Sequence, residues 1–265
     1  MDIMPVILTS DNGCYRLKLN RIEAHNALNP QMLDGIYQHL LTVQEDNTAK
    51  VLIIESNSEH FMVGGDIYYF GKLIIEAPEM RCQIIKPMLD QAQLIIEMIA
   101  SLSIPVVAVT RGIVAGYGLS LILACDYVLA LDNSNFHSSY IGIGLTADGG
   151  QLWSLKQALG LKYAKRMLLF NEQLNATDAQ AIGLVDCLCQ STEALDIELN
   201  KLIKKMFMMP AHAFSALKKH LNQIDALSET LEAEKALFLT QIASDEFTAR
   251  ISAFIEAKKH KKVTT

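Results

Sequence analysis

The first candidates for chemistry in this sequence are backbone amides. Ala115-Gly116-Tyr117-Gly118 is a small-residue turn between two apolar runs. Before it, Val106, Val107 and Val109 follow Pro105 and predict a short buried strand that ends at Thr110-Arg111-Gly112. After it, Leu119, Leu121, Ile122 and Leu123 predict a helix buried on every side. A glycine-bearing turn in that setting leaves N–H groups pointing above the helix N-terminus, where the helix dipole adds partial positive charge. Such a place suits a phosphate, or a carbonyl oxygen that gains negative charge during reaction.

Two readings of the glycines compete. Gly112, Gly116 and Gly118 have a Gly-xxx-Gly-x-Gly spacing that could cradle a dinucleotide. That fingerprint follows the first strand of its fold and needs an acid about 20 residues further on. Here the loop lies past residue 100, the next acid is Asp126, and the pair Tyr68/Lys72 lies upstream instead of downstream. The second reading pairs two loops on one oxyanion, with one N–H from Gly64-Gly65-Asp66 and one from Gly116-Tyr117-Gly118. Asp148, before Gly149-Gly150, reads on its own as a turn or a helix N-cap. Asp66 and Asp126 read as groups that cap and orient loops. His60 and His137 have no metal-like partner spacing and read as surface or packing residues.

The elements that must position these groups alternate between strand and helix. Val6–Leu8 and Tyr15–Leu19 flank Asp11-Asn12-Gly13, a hairpin signal. Asn29 and Pro30 predict a helix start, with Leu33, Ile36, Tyr37, Leu40 and Leu41 at helical spacing. Val51–Glu55 predicts a buried strand, and residues 88–102 carry a helical stripe stopped by Pro105. Tyr127–Leu131 predicts a strand, 135–150 a loop, and Leu152–Ala158 and Tyr163–Leu169 helices. Thr177 to Gln180 predicts a capping box, and Leu184–Cys189 a last strand. From about residue 194 the pattern is helical only, so the expected layout is a 1–193 α/β core and a 194–265 helical region. Large apolar residues on those helices predict either a subunit interface or packing on the chain's own core.

Composition bounds the rest. The chain has 265 residues, and its 51% hydrophobic content is enough for a sizeable core. Net charge is -6, which argues against a nucleic-acid surface; the one dense basic cluster is Lys258, Lys259, Lys261 and Lys262. An odd set of five cysteines without paired spacing fits reduced thiols in a cytoplasmic protein. The start, MDIMPVILTSDNG, has no signal-peptide pattern, and no apolar run reaches membrane-spanning length.

The chain resembles the enoyl-CoA hydratase/isomerase (crotonase) superfamily nearly end to end. Arg21-Ile22-Glu23-Ala24-His25-Asn26-Ala27-Leu28 is similar to the family's element where the adenine of coenzyme A packs. Phe61-Met62-Val63-Gly64-Gly65-Asp66 is similar to its Phe-x-x-Gly-x-Asp, and Gly112 to Asp126 matches Gly-x-x-x-Gly-x-Gly-x-x-Leu-x-x-x-Cys-Asp without a gap. Phe136, Ile141 to Gly144, Asp148-Gly149-Gly150, Ala181 to Asp186 and Ser244 to Lys259 complete the match.

The resemblance implies a ClpP/crotonase-like β/α spiral core followed by a helical region that builds trimers, often paired into hexamers. It implies Gly65 and Tyr117 as oxyanion donors, with Gly64, Asp66, Ile67 and Gly116 beside them at the acyl-CoA thioester. It places Ala24, Asn26, Ala27 and Leu28 at the adenine and Lys258 and Lys259 at the ligand's phosphate, and implies neither a metal nor a redox cofactor. Where hydratases keep two glutamates, this chain has Ser120 and Tyr140, both counted here as substrate-binding. Asp148 stands where isomerase branches, such as the ring-opened phenylacetyl-CoA isomerases, keep a catalytic Asp. Water addition needs two acid–base groups, whereas moving a double bond needs one base that takes a proton and returns it. The expectation is therefore an enoyl-CoA isomerase with Asp148 as proton shuttle. The alternatives are a hydratase using Asp148 or a bound water, and an acyl-CoA-binding homologue with little catalysis.

Overall fold

A computed structural model describes residues 4–222 and 224–263, with side chains through residue 259. Strands β1 (Val6–Asp11) and β2 (Cys14–Leu19) form a hairpin, because Asn12 and Gly13 take the left-handed backbone (φ 50° and 84°) that its two-residue turn requires. Helix α1 (Pro30–Glu45) starts where Asn29 Oδ1 accepts the Met32 N–H at 2.9 Å. Next come β3 (Val51–Ser56), α2 (Ile67–Leu73), α3 (Pro78–Ser101), β4 (Val106–Thr110), β5 (Ile113–Ala115) and α4 (Tyr117–Ala124). Then follow β6 (Tyr127–Leu131), β7 (Asn135–His137), α5 (Gln151–Leu169), β8 (Leu174–Asn175), α6 (Ala176–Ala181) and β9 (Cys187–Cys189). Helices α7 (Thr192–Phe207), α8 (Ala211–Leu221), α9 (Ile224–Ile242) and α10 (Asp245–Val263) close the chain.

The main sheet has the order β1-β2-β3-β4-β6-β9 and is parallel after the hairpin. Its central strands are buried on both faces, and the two-residue period sorts their side chains. Leu52, Ile54, Val106 and Ala108 face α1 and α3, while Val51, Ile53, Val107 and Val109 face Leu195 and Leu199 of α7. The small second sheet, β5-β7-β8, stands across the mouth of this layer. Its strand β5 also bridges Met62 through Val114, and Leu28 bridges Gly65. Those two bridges bring the distant glycine loops together.

Several elements differ from the sequence reading. Helix α3 begins at Pro78, ahead of the stripe over 88–102, and runs through Pro87; burial of Ile85, Leu89 and Ala92 on one face outweighs the lost hydrogen bond. Helix α2 and strands β5 and β7 are too short for periodicity to mark. The N-cap of α6 is Asn175, whose Oδ1 accepts the Asp178 N–H at 2.8 Å, not Thr177. Gly160 (φ 75°, ψ 163°) is non-helical and divides α5 into two helical runs, in line with the two helices that the sequence predicts.

The helical region after residue 194 shares the core of the preceding chain instead of standing apart from it. Leu227 and Leu231 of α9 pack in the cluster built on α1 and α3. Lys218 of α8 is 4% exposed, and its Nζ lies 2.6 Å from Asp126 Oδ2 and donates to the Ile104 carbonyl at 3.2 Å. Asp126 Oδ2 also accepts the Val106 N–H at 2.8 Å, so the pair ties α8 to the edges of β4 and β6. None of the described helices is long and apolar enough to cross a membrane. The side chains of Lys261 and Lys262 lie outside the described residues.

Removing one partner of a buried ion pair leaves the other charge without compensation. Lys218→Met should therefore lower unfolding free energy by about 3 kcal/mol in urea titrations, and Lys218→Met with Asp126→Asn should recover part of it.

Candidate active site

The site begins with two loops in van der Waals contact. A Cβ on Gly116 would lie 3.0 Å from the Gly64 Cα and 3.9 Å from the Gly65 nitrogen. Both Gly64 (φ 95°) and Gly116 (φ 54°) hold left-handed backbone that a side chain would oppose. The Leu28 N–H donates to Gly64 O at 2.8 Å and the Asp66 N–H to Leu28 O at 2.9 Å, so the N–H of Gly65 points to the other edge. Tyr117 opens α4, where first-turn N–H groups lack intrahelical acceptors. Among the described residues no backbone carbonyl accepts from the Gly65 or Tyr117 N–H. Both residues line a cavity of about 580 Å³.

Asp148 reaches the same cavity from a turn that is held on several sides. The Ser120 hydroxyl donates to the Asp148 carbonyl oxygen at 2.9 Å. Gln151 Nε2 donates to Ser120 Oγ at 3.1 Å and to the Gly116 carbonyl at 2.6 Å, while its Oε1 accepts from Ser138 at 2.9 Å. From α9, the fully buried Glu234 carboxylate accepts the Gly150 N–H at 2.6 Å and the Leu152 N–H at 2.7 Å. Glu234 thus caps α5 directly behind Asp148. Burial pushes its carboxyl up to about 8, against the pull of the two N–H donors.

Burial also raises the Asp148 carboxyl, to about 6, while a hydrogen bond from the Tyr140 phenol to Oδ1 pulls the other way. Tyr140 is itself held far above the usual phenol range, by burial first and by the Asp148 charge second. Tyr117 is similarly buried, and its hydroxyl donates to the Ala92 carbonyl at 2.7 Å. Around Asp148 the cavity wall is apolar, built by Ile85, Met88, Leu89, Leu145 and Phe238. Among the described residues on that wall, Asp148 is the one carboxylate.

The expected contact residues divide. Leu28, Gly64, Gly65, Ile67, Gly116, Tyr117, Tyr140, Asp148 and Lys258 line the cavity. Lys258 stands at its rim with Nζ 5.3 Å from the Phe254 ring centre. Ala24, Ala27 and Lys259 lie off the wall.

Three polar side chains expected at substrate are used inside the protein instead. Asn26 is fully buried; its Oδ1 accepts the Arg21 N–H at 2.9 Å and its Nδ2 donates to Ser56 Oγ at 2.7 Å and Phe61 O at 2.9 Å. Asp66 caps α2 through the Tyr68 and Tyr69 N–H groups and pairs with Arg21 at 2.7 Å. Ser120 is 1% exposed, its hydroxyl turned onto the Asp148 turn. Each is pinned because a buried polar group left unpaired is costly.

His60, expected at the surface or in packing, comes close to His25 and Glu59, with ligand-type atoms within 4.8 Å of one another. Its Nδ1 accepts the Ile113 N–H at 3.3 Å, so the neutral ring carries its proton on Nε2, which faces Glu59 at 3.7 Å. A protonated ring nitrogen cannot ligate, and the three groups read as a loose electrostatic cluster. Sequence reasoning missed Glu234 and Gln151. Glu234 had a signal: it is an acid between Leu231 and Phe238 on the apolar stripe of α9.

Comparison with known proteins fits this geometry. A family model described as enoyl-CoA hydratase/isomerase matches residues 9–262. Trans-2-decenoyl-[acyl-carrier-protein] isomerase of Streptococcus mutans is 28% identical, over 98% of both chains. 2,3-dehydroadipyl-CoA hydratase of Escherichia coli is 29% identical, over 96% of both. The crystal structure of an enoyl-CoA hydratase from Bacillus halodurans superposes with a TM-score of 0.88 at 20% identity, covering 94% of this chain and 99% of that one. The fold is the crotonase fold, and with nearly its whole length matched, the chain belongs to the enoyl-CoA hydratase/isomerase family.

Proposed function

We propose that this protein shifts a carbon–carbon double bond in an unsaturated acyl thioester, with coenzyme A as the expected carrier. The observation that carries this reading is a single carboxylate, Asp148, on an apolar wall beside two inward N–H groups. The Gly65 and Tyr117 N–H groups hold the thioester oxygen as it becomes enolate-like, which lowers the barrier to removing a proton beside the carbonyl. Asp148 takes that proton and returns it two carbons away. Only a proton moves, so the reaction needs neither a redox cofactor nor a metal.

Hydration would need a base that orients and deprotonates water and an acid that protonates carbon. The hydroxyl of Ser120 faces away from the cavity, and Tyr140 is bonded to Asp148, so the wall supplies one carboxylate in place of two. Relatives named as hydratases at similar identity keep water addition as the second reading. The relative named as an isomerase acts on a carrier-protein thioester, which makes that carrier the alternative to coenzyme A. The helices after residue 194 leave Leu217 and Leu221 exposed at 63% and 75%, and we assign that face to assembly in threes.

Asp148→Asn should reduce double-bond transfer and deuterium exchange at the acyl carbons by about a thousandfold while an acyl-CoA still binds. Exchange in heavy water that survives this change would overturn the assignment. Because the base acts deprotonated, kcat/KM of the unaltered enzyme should rise as pH passes through about 6. Gly116→Ala, which drives a Cβ towards Gly64, should cost about a hundredfold in turnover. Light scattering should give a multiple of three; a stable, active monomer contradicts the assembly.

A further inference from the structure

The carboxylate of Asp148 is not free to present either oxygen to a ligand. The phenol of Tyr140 donates to Oδ1, and among the described residues no other side chain donates to the carboxylate. Tyr140 is 9% exposed and set in the apolar cluster of Leu145, Phe238 and Ile242. Its ring meets Phe238 edge to face, with centroids 6.5 Å apart and planes at 81°. The backbone beneath Asp148 is fixed separately, by Ser120 on one side and Glu234 on the other. With turn and phenol both anchored, rotation that exchanged the two oxygens would break the phenol bond.

Resting on the isomerase reading, we propose that Tyr140 is the positioning residue of the site, occupying Oδ1 so that Oδ2 alone removes and returns the proton. One oxygen doing both steps keeps the proton on one face of the extended enolate. The oxygen that binds the phenol never has to open, so the base keeps its aim through the whole cycle. Burial and the Asp148 charge keep the phenol protonated, and therefore a donor, throughout the working pH range.

The sign of the test follows from charge. A donor stabilises the ionised carboxylate, so its removal makes Asp148 harder to ionise. The other titratable groups facing the turn are Tyr117 from α4 and Glu234 from α9, with His137 and Lys258 elsewhere on the wall. All four are left in place by Tyr140→Phe.

The carboxyl titration of Asp148 can be followed without substrate by carbon-13 NMR, assigned by its loss in Asp148→Asn. In Tyr140→Phe it should move up by about one pH unit. The acid limb of kcat/KM should move with it and kcat should fall as the base loses its aim, while KM stays within about threefold. With 3-fluorotyrosine at position 140, a stronger donor of the same shape, the titration should move down. Opposite shifts distinguish donation from packing, and the second variant serves if the first fails to fold. An unmoved titration overturns the proposal, as does a plateau that collapses at every pH with a raised KM, which would put the phenol on substrate. If the enzyme shifts no double bond, the isomerase reading fails on the activity assay, and the positioning role of Tyr140 in proton transfer fails with it even if the titration moves.

Discussion

Everything in this site depends on two backbone segments touching where neither has a side chain. The segment ending at Gly65 and the one ending at Tyr117 come from parts of the chain about fifty residues apart. They converge because Leu28 and β5 lend each of them strand-like hydrogen bonds. Once Gly64 and Gly116 meet, one free N–H from each loop faces the cavity, and the donors need no reorganisation during reaction. Larger residues there would separate the loops, and the paired donors would no longer address a single oxygen.

A base placed in such a cavity meets a contradictory demand. The apolar wall that excludes water also penalises the charge of Asp148, and burial alone raises its pKa. The fold answers with local polar order, not with a counter-ion. Ser120 and Glu234 satisfy the backbone of the turn, Gln151 ties Ser120 to the Gly116 carbonyl, and Tyr140 satisfies one carboxylate oxygen. The result is a carboxyl group whose pKa burial raises to about 6, near neutrality.

The C-terminal helices are part of this machinery. Helix α9 supplies Phe238 to the cavity wall and Glu234 to the Asp148 turn, and α10 brings Phe254 and Lys258 to the same cavity. Lys218 of α8 clamps the edge of the central sheet through Asp126. Truncation of this region would therefore open the cavity as well as remove surface.

The glycine loops, the buried strand–helix alternation and Asp148 were legible in the sequence because each depends on local constraints. A turn needs glycine where φ is positive, a doubly buried strand needs an unbroken apolar run, and a cap needs a short polar side chain. What local pattern could not decide was which polar side chains face substrate. Asn26 and Ser120 sit in the motifs beside the loops, yet their polar atoms are consumed by groups that only the folded chain brings near. Glu234 joins the site from more than eighty residues beyond Asp148, through a helix docked on α3 and α5. The sequence by itself determined the elements and the residues able to do chemistry, since those follow from near neighbours along the chain. The tertiary structure decided which were free to do it, because hydrogen-bond partners are set by proximity in space, and a buried polar group takes whichever partner the packing supplies.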